Sequence, residues 1–393
     1  MTRNVSNVPI GRVWHNSPIR MSGYVQAVLR FRSEIAALQP YRVGRQIEDV
    51  AREHGLDPLA IVQLTANEAP EGPFPGVVEA ASAALTGSNR YPDNDCWRLG
   101  HALADELGVE FPNLMFGAGS VALLGDIASA LGGPGSNIVY GWPGFVMYRF
   151  AAIWAGSTFR EVPLDESHCL DLMAMREAID DQTSVVVVCN PNNPSGTIKP
   201  AEEIEAFIDS VPEDVLVVVD EAYHEFVIDP SYRTAIPVAI ERPNVVVLRT
   251  FSKIYSLAAH RIGYAVARPD VLAELRKVQA PLTVNLVAQV AAQASLGQPE
   301  ELERRRADNA ARRHHLSGAL SERGLRHPES HTNFLLFDLG DRAEQVLADM
   351  TAEGVLIRKM SGGWVRVTVG DDEGNRRFLS ALDHALLRVG DPV

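Results

Sequence analysis

Three short runs of apolar residues constrain this chain more than any other feature: 184–189 (Ser-Val-Val-Val-Val-Cys), 215–219 (Val-Leu-Val-Val-Val) and 244–248 (Asn-Val-Val-Val-Leu). They are continuous rather than alternating, so both faces of each must be buried, and segments of helical spacing such as 202–208 lie between them. That is the pattern of parallel strands covered by helices on both sides. A sheet of this kind gathers functional residues at the C-terminal ends of its strands. Each run is followed closely by a polar cluster: 190–196 (Asn-Pro-Asn-Asn-Pro-Ser-Gly), 220–223 (Asp-Glu-Ala-Tyr) and 250–253 (Thr-Phe-Ser-Lys).

The expected fold is α/β. A three-layer α/β/α large domain with a mostly parallel sheet is expected over 71–283, and a smaller α/β domain over 284–393. The smaller domain is read from a long charged helical stretch (300–320) and three strands at 333–338, 354–358 and 364–368. Residues 25–70 are expected to pack with it, and 1–24 to form an arm or a disordered tail. At 393 residues and 46% hydrophobic the chain can bury a core of this size. Its 36 basic and 50 acidic residues give a net charge of −14, which disfavours nucleic acid and anionic membrane as partners. No apolar run approaches the roughly 20 residues of a membrane helix. Cys96, Cys169 and Cys189 are odd in number and far apart, which indicates neither a disulfide framework nor a thiolate metal site, and fits a reducing cytoplasm.

The chemistry is concentrated in the polar clusters. In 249–261 (Arg-Thr-Phe-Ser-Lys-Ile-Tyr-Ser-Leu-Ala-Ala-His-Arg) a lysine follows a buried strand, with hydroxyls beside it and an arginine eight residues on. Lys253 can condense with an aldehyde cofactor to form a Schiff base, while Thr250, Ser252 and Arg261 can hold its phosphate. Phe116-Gly-Ala-Gly-Ser120 precedes a helical stripe at Val121, Leu124, Ala128 and Leu131, so glycine lets the backbone approach an anion at a helix N-terminus. The spacing matches neither a Walker nor a dinucleotide fingerprint. Asn193, in a rigid turn, can bond a phenolate or a carboxylate. Asp220 ends a buried strand, where a carboxylate needs a cationic partner such as a protonated pyridine nitrogen. Tyr223 can donate to the 3′ oxygen of the same ring.

In order and spacing these motifs resemble the fold type I pyridoxal-phosphate aminotransferases, and within them the histidinol-phosphate aminotransferase group with its aromatic (phenylalanine) aminotransferase relatives. The resemblance covers roughly 30–390. It implies pyridoxal 5′-phosphate as cofactor and Lys253, Asp220 and Tyr223 as catalytic residues. The cofactor would be held by Ser120, Val121, Phe145 (stacked on the ring), Asn193, Thr250, Ser252 and Arg261, with Tyr91 reaching the phosphate in a neighbouring subunit, and hence a homodimer with shared active sites. Arg366 matches the arginine that grips the substrate's acidic group, bidentately as its planar fork allows. Arg358, Asn193, Tyr41 and Asn67 match further substrate positions. No metal is implied. The activity implied is transfer of an amino group between an amino acid, aromatic or histidinol phosphate, and a 2-oxo acid.

The chain departs from that pattern in places. Gly119-Ser-Val-Ala-Leu123 replaces an acidic Gly-Ser-Asp-Glu, as in the aromatic branch. Ser256, Ala259 and His260 replace the two glycines and second leucine of Tyr-Gly-Leu-Ala-Gly-Leu-Arg, and Asn94-Asp-Cys96 follows Tyr-Pro-Asp. Losing two glycines should stiffen or reshape the loop after Lys253, which leaves open an oxidase, lyase or racemase of specialised metabolism on the same scaffold. His224, next to Tyr223, is expected at the surface.

Overall fold

The computed structural model describes residues 29–41 and 44–390. The arm expected over 1–24 lies outside the described residues. By compactness the chain forms two units, Met1–Pro40 and Tyr41–Val393. In the first, the described part contains one five-residue helix, Ser33–Ala37, with no buried residue.

Among its described residues the second unit contains eleven strands: β1 (Val62–Leu64), β2 (Leu114–Gly117), β3 (Asn137–Trp142), β4 (Thr158–Pro163), β5 (Thr183–Cys189), β6 (Leu216–Asp220), β7 (Val245–Thr250), β8 (Gly263–Val266), β9 (Phe334–Asp338), β10 (Val355–Lys359) and β11 (Trp364–Thr368). Seven form one sheet in the order β2-β8-β7-β6-β5-β3-β4. It is mostly parallel, only β8 running against its neighbours β2 and β7. The expected α/β architecture is what forms. Val185–Val188, Val217–Val219 and Val245–Val247 are each at most 1% exposed, as runs with no polar alternation require.

Four strands form a second sheet, β1-β10-β11-β9. β1 pairs in parallel with β10, which brings the segment before residue 70 into this sheet. The helix Leu286–Ser295 places Ala288, Ala291 and Ala292 in the core of the seven-stranded sheet, although it follows residue 284. The core of the smaller sheet takes in the chain from Leu316 onward, together with Leu64. Between them runs the helix Pro299–Glu322, 24 residues long, whose inward stripe carries Arg305, Asn309 and Arg313 as well as Leu316 and Leu320.

Two expectations need correction. The helix Ser120–Leu131 buries Leu123, Leu124, Ile127 and Ala128, whereas Leu131 of the expected stripe is 41% exposed. The helix packs against both the sheet and the helix Met147–Ala155, so its buried face is turned from a single-sided stripe. His224 is not a surface residue: its ring is three-quarters buried, with Nδ1 3.2 Å from the Tyr232 hydroxyl.

Beneath the strand ends lies a buried ion pair. Arg249 donates to Glu221 Oε2 from Nε (2.9 Å) and Nη2 (2.8 Å), both side chains being at most 5% exposed. Glu221 also accepts from Thr234 Oγ1 and the Ala235 N–H. Removing one partner strands the other charge. Arg249→Met should therefore destabilise the protein by about 3–5 kcal/mol, measured as a fall in the urea midpoint, whereas exposed Arg268→Met should change it little.

Candidate active site

The parallel register sets Cys189 of β5 opposite Asp220 of β6, and Asp220 opposite Leu248 of β7. The clusters after the three strands therefore emerge at one edge of the sheet. Asp220, 5% exposed, accepts from the Tyr148 hydroxyl (2.8 Å) at Oδ2 and from the Ala222 N–H (3.1 Å) at Oδ1. Burial pushes its pKa up, and the bonds from Tyr148 and Ala222 partly offset that. A carboxylate so placed favours a cationic partner.

Lys253 stands in the turn after β7. Its Nζ donates to the carbonyls of Ala66 (3.3 Å) and Asn67 (3.2 Å) and lies 5.6 Å from the centre of the Tyr223 ring. Burial first, then the positive charge of Arg366, lowers its pKa to about 8. The Tyr223 hydroxyl accepts from Asn67 Nδ2 (2.8 Å) and Asn193 Nδ2 (3.3 Å). Asn67 itself holds a left-handed φ of 55°, and its carbonyl also accepts from Asn333 Nδ2.

Arg366, on β11, connects the smaller sheet to this group. Nη1 donates to Asn193 Oδ1 (2.6 Å) and Nη2 to the Thr65 carbonyl (2.8 Å), while buried Nε finds no partner among the described residues. Arg358 is its cross-strand neighbour on β10 and lies over the Tyr41 ring at 5.9 Å. Tyr41 in turn meets Phe150 edge to face.

Arg261, whose charge is felt at Lys253, belongs to a cradle suited to an anion. Gly119, at φ 83°, begins the helix Ser120–Leu131 and brings no side chain to cap it. A Cβ there would meet Arg261 Nη2 at 2.6 Å, so glycine is what allows the guanidinium to approach the helix start. Arg261 Nη1 reaches Ser252 Oγ at 3.5 Å, and the Ser252 N–H donates to Thr250 Oγ1. Helix N–H groups, hydroxyls and an arginine converge here. Ser120 and Val121 form the first turn of the helix.

The structure thus joins Lys253, Asn67, Tyr223, Asn193 and Arg366 through hydrogen bonds and ring contacts. Phe145 sits beside them, edge to face with Tyr148 at 5.7 Å. Tyr91 stands apart, 85% exposed. Sequence reasoning passed over Tyr148, Asn333 and Thr368, whose hydroxyl accepts from the Asn67 N–H. Tyr148 had a usable signal, since it follows Phe145 by three residues at a helix start.

Comparison with known proteins agrees with this geometry. The model of the family "Aminotransferase class I and II" matches residues 60–382, and the chain belongs to that family. It is 40% identical to an aromatic amino acid aminotransferase of Streptomyces avermitilis, over 90% of this chain and 97% of that one. It is 42% identical to a histidinol-phosphate aminotransferase of Brevibacillus brevis, over 87% and 94%. Among solved structures, the histidinol-phosphate aminotransferase of Sinorhizobium meliloti in complex with pyridoxal-5′-phosphate superposes with a TM-score of 0.85 at 28% identity, covering 94% of this chain and all of that one.

The lowered lysine pKa has a direct readout. The neutral amine is the nucleophile, so the reaction of Lys253 with a small aldehyde, trapped by borohydride and quantified by mass spectrometry, should rise with pH, pass its midpoint near 8 and level off above. An ordinary lysine, near 10.5, would still be gaining reactivity there.

Proposed function

We propose that this protein is a pyridoxal-phosphate-dependent aminotransferase that moves an amino group between an amino acid, aromatic or histidinol phosphate, and a 2-oxo acid. The observation that carries the reading is Lys253: a buried amine with a pKa near 8, bonded to the Ala66 and Asn67 carbonyls and close enough to Asp220 and to Arg261 of the anion cradle to feel both charges.

The residues present fit the cofactor. Asp220 suits a protonated pyridine nitrogen, Tyr223 and Asn193 suit the ring's 3′ oxygen, and the helix start at Ser120 and Val121 with Thr250, Ser252 and Arg261 suits the phosphate. Phe145 would stack on the ring. Bound there, pyridoxal phosphate supplies an electron sink for the pair left when the substrate's Cα–H bond breaks. Lys253 Nζ takes that proton and returns it, and its depressed pKa keeps a usable fraction neutral near pH 7. Arg366 holds the substrate carboxylate. Among the described residues its Nε lacks a partner, and its bonds to Asn193 and Thr65 fix the fork in place. Arg358, Tyr41 and Asn67 line the approach, with Tyr41 giving an aromatic side chain a surface to pack against. Aromatic amino acids are the favoured donors on that ground, and relatives of both substrate types stand at similar identity.

The same reading makes the active unit a cytoplasmic homodimer, in which the exposed Tyr91 serves the neighbouring subunit's phosphate. Among the described residues no helix is long and apolar enough to cross a membrane. Sedimentation should give about twice the chain mass of 42.9 kDa.

The purified protein should show visible absorbance from bound pyridoxal phosphate. Phenylalanine or tyrosine, with no acceptor, should convert that band to the one of the aminated cofactor, and a 2-oxo acid should restore it. Lys253→Ala should lower turnover by at least about 10⁴-fold and Asp220→Ala by about 10²-fold or more, with weaker cofactor retention. Near-parental rates in either variant would refute the assignment.

A further inference from the structure

The loop after Lys253 carries a serine where the family it resembles has glycine, and the structure shows a strained residue there. Ser256 has φ 57°, a left-handed conformation that side chains rarely adopt and that persists only when surrounding contacts enforce it. Its N–H closes the turn onto the Lys253 carbonyl (3.0 Å), so its backbone angle and the placing of Lys253 are linked.

Its side chain is met by Arg305, on the inward face of the helix Pro299–Glu322 and 5% exposed. Nη1 donates to Ser256 Oγ (2.6 Å) and to the Ile254 carbonyl (3.2 Å). Nη2 donates to the Gly72 carbonyl (2.8 Å), Nε to Glu301 (2.7 Å), and the guanidinium lies 4.3 Å from the centre of the Phe74 ring. One planar group thus grips two stretches of chain. The 253–256 turn carries the lysine backbone. The segment leading to Gly72 carries the Ala66 and Asn67 carbonyls that receive the lysine amine.

We propose that Arg305 is a positioning residue for Lys253, holding Ser256 in its left-handed turn and tying that turn to the segment that receives the amine. This rests on Lys253 being the cofactor-binding lysine. Glycine adopts the same φ without support, so the larger part of the role, holding residue 256 in its turn, is specific to a chain with serine there, and only the tie to the Gly72 segment would remain with glycine.

The test is uptake of pyridoxal phosphate by apoprotein, followed by visible absorbance across pH, with thermal stability measured alongside. Arg305→Met should slow uptake at pH 8 by at least about tenfold and move its pH midpoint upward, because a loosened turn lets water reach the amine and burial is its main depressing influence. In a Ser256→Gly background the same Arg305→Met change should cost no more than about threefold. A loss of equal size in both backgrounds, or parental uptake in Arg305→Met, overturns the proposal. Should Arg305→Met fail to fold, Ser256→Ala carries the test, since it leaves the guanidinium its other partners. It should slow uptake severalfold, and parental uptake overturns the proposal. Lys253→Ala serves as control: if it gains the same absorbance, the cofactor assignment itself fails, independently of Arg305.

Discussion

The site depends on the level at which three parallel strands end. β5, β6 and β7 pair so that Cys189, Asp220 and Leu248 fall on one line across the sheet, and each strand then turns out into a polar segment at the same edge. Parallel pairing is responsible, because strands running the same way all present their C-terminal ends together. A slip of one residue would turn Asp220 to the other face of the sheet and put a valine in its place.

Collecting these segments places charge where water is scarce. Asp220, Glu221, Arg249, Arg305 and Arg366 are all buried, and each is met by several polar partners. Glu221 and Arg249 neutralise each other, which lets β6 and β7 continue as apolar strands up to the site. Among the described residues Asp220 accepts from neutral donors, a hydroxyl and a backbone N–H, so a cation beside it would find its carboxylate without a salt-bridge partner. Lys253 is the complementary case. Carbonyl oxygens receive its amine, and burial with Arg366 nearby keeps that amine partly neutral. Pairing suits Arg249 and Glu221 to a structural role, and incomplete pairing suits Asp220 and Lys253 to the chemistry proposed for them.

Specific polar links join the two sheets, alongside ring contacts such as Tyr223 on Phe334 and His168 on Trp364. Arg366 reaches from β11 to Asn193, His331 donates its N–H to the Gly196 carbonyl, and Asn333 reaches Asn67. These join the smaller sheet to the loop after β5 and to the segment that receives the lysine. A ligand held by Arg366 would therefore bear on both sheets.

β5, β6, β7, β9, β10 and β11, the long helix and the motifs at the strand ends were legible in the amino-acid sequence, because each is a local pattern, such as continuous valine for a strand buried on both faces or glycine before a helix for an anion site, whereas β1–β4 and β8 were not read from it. Lys253, Asp220, Asn193, Tyr223 and Arg261 stand out for the same reason, as reactive types beside such patterns. The bond from Tyr148 to Asp220, the burial of His224, the turned face of the helix Ser120–Leu131, and Arg305 beneath Ser256 were not legible. The Tyr148–Asp220 bond spans 72 residues and the Arg305–Ser256 bond 49, while the burial of His224 and the turned helix face depend on which elements pack against them. Arg305 shows the difference most clearly: in sequence it is one of three consecutive arginines on a charged helix, and only the packing of that helix against the turn after Lys253 selects it. Local propensity and period determine which elements form, but the contact that gives a buried polar side chain its role is made between distant segments, and only the tertiary structure decides it.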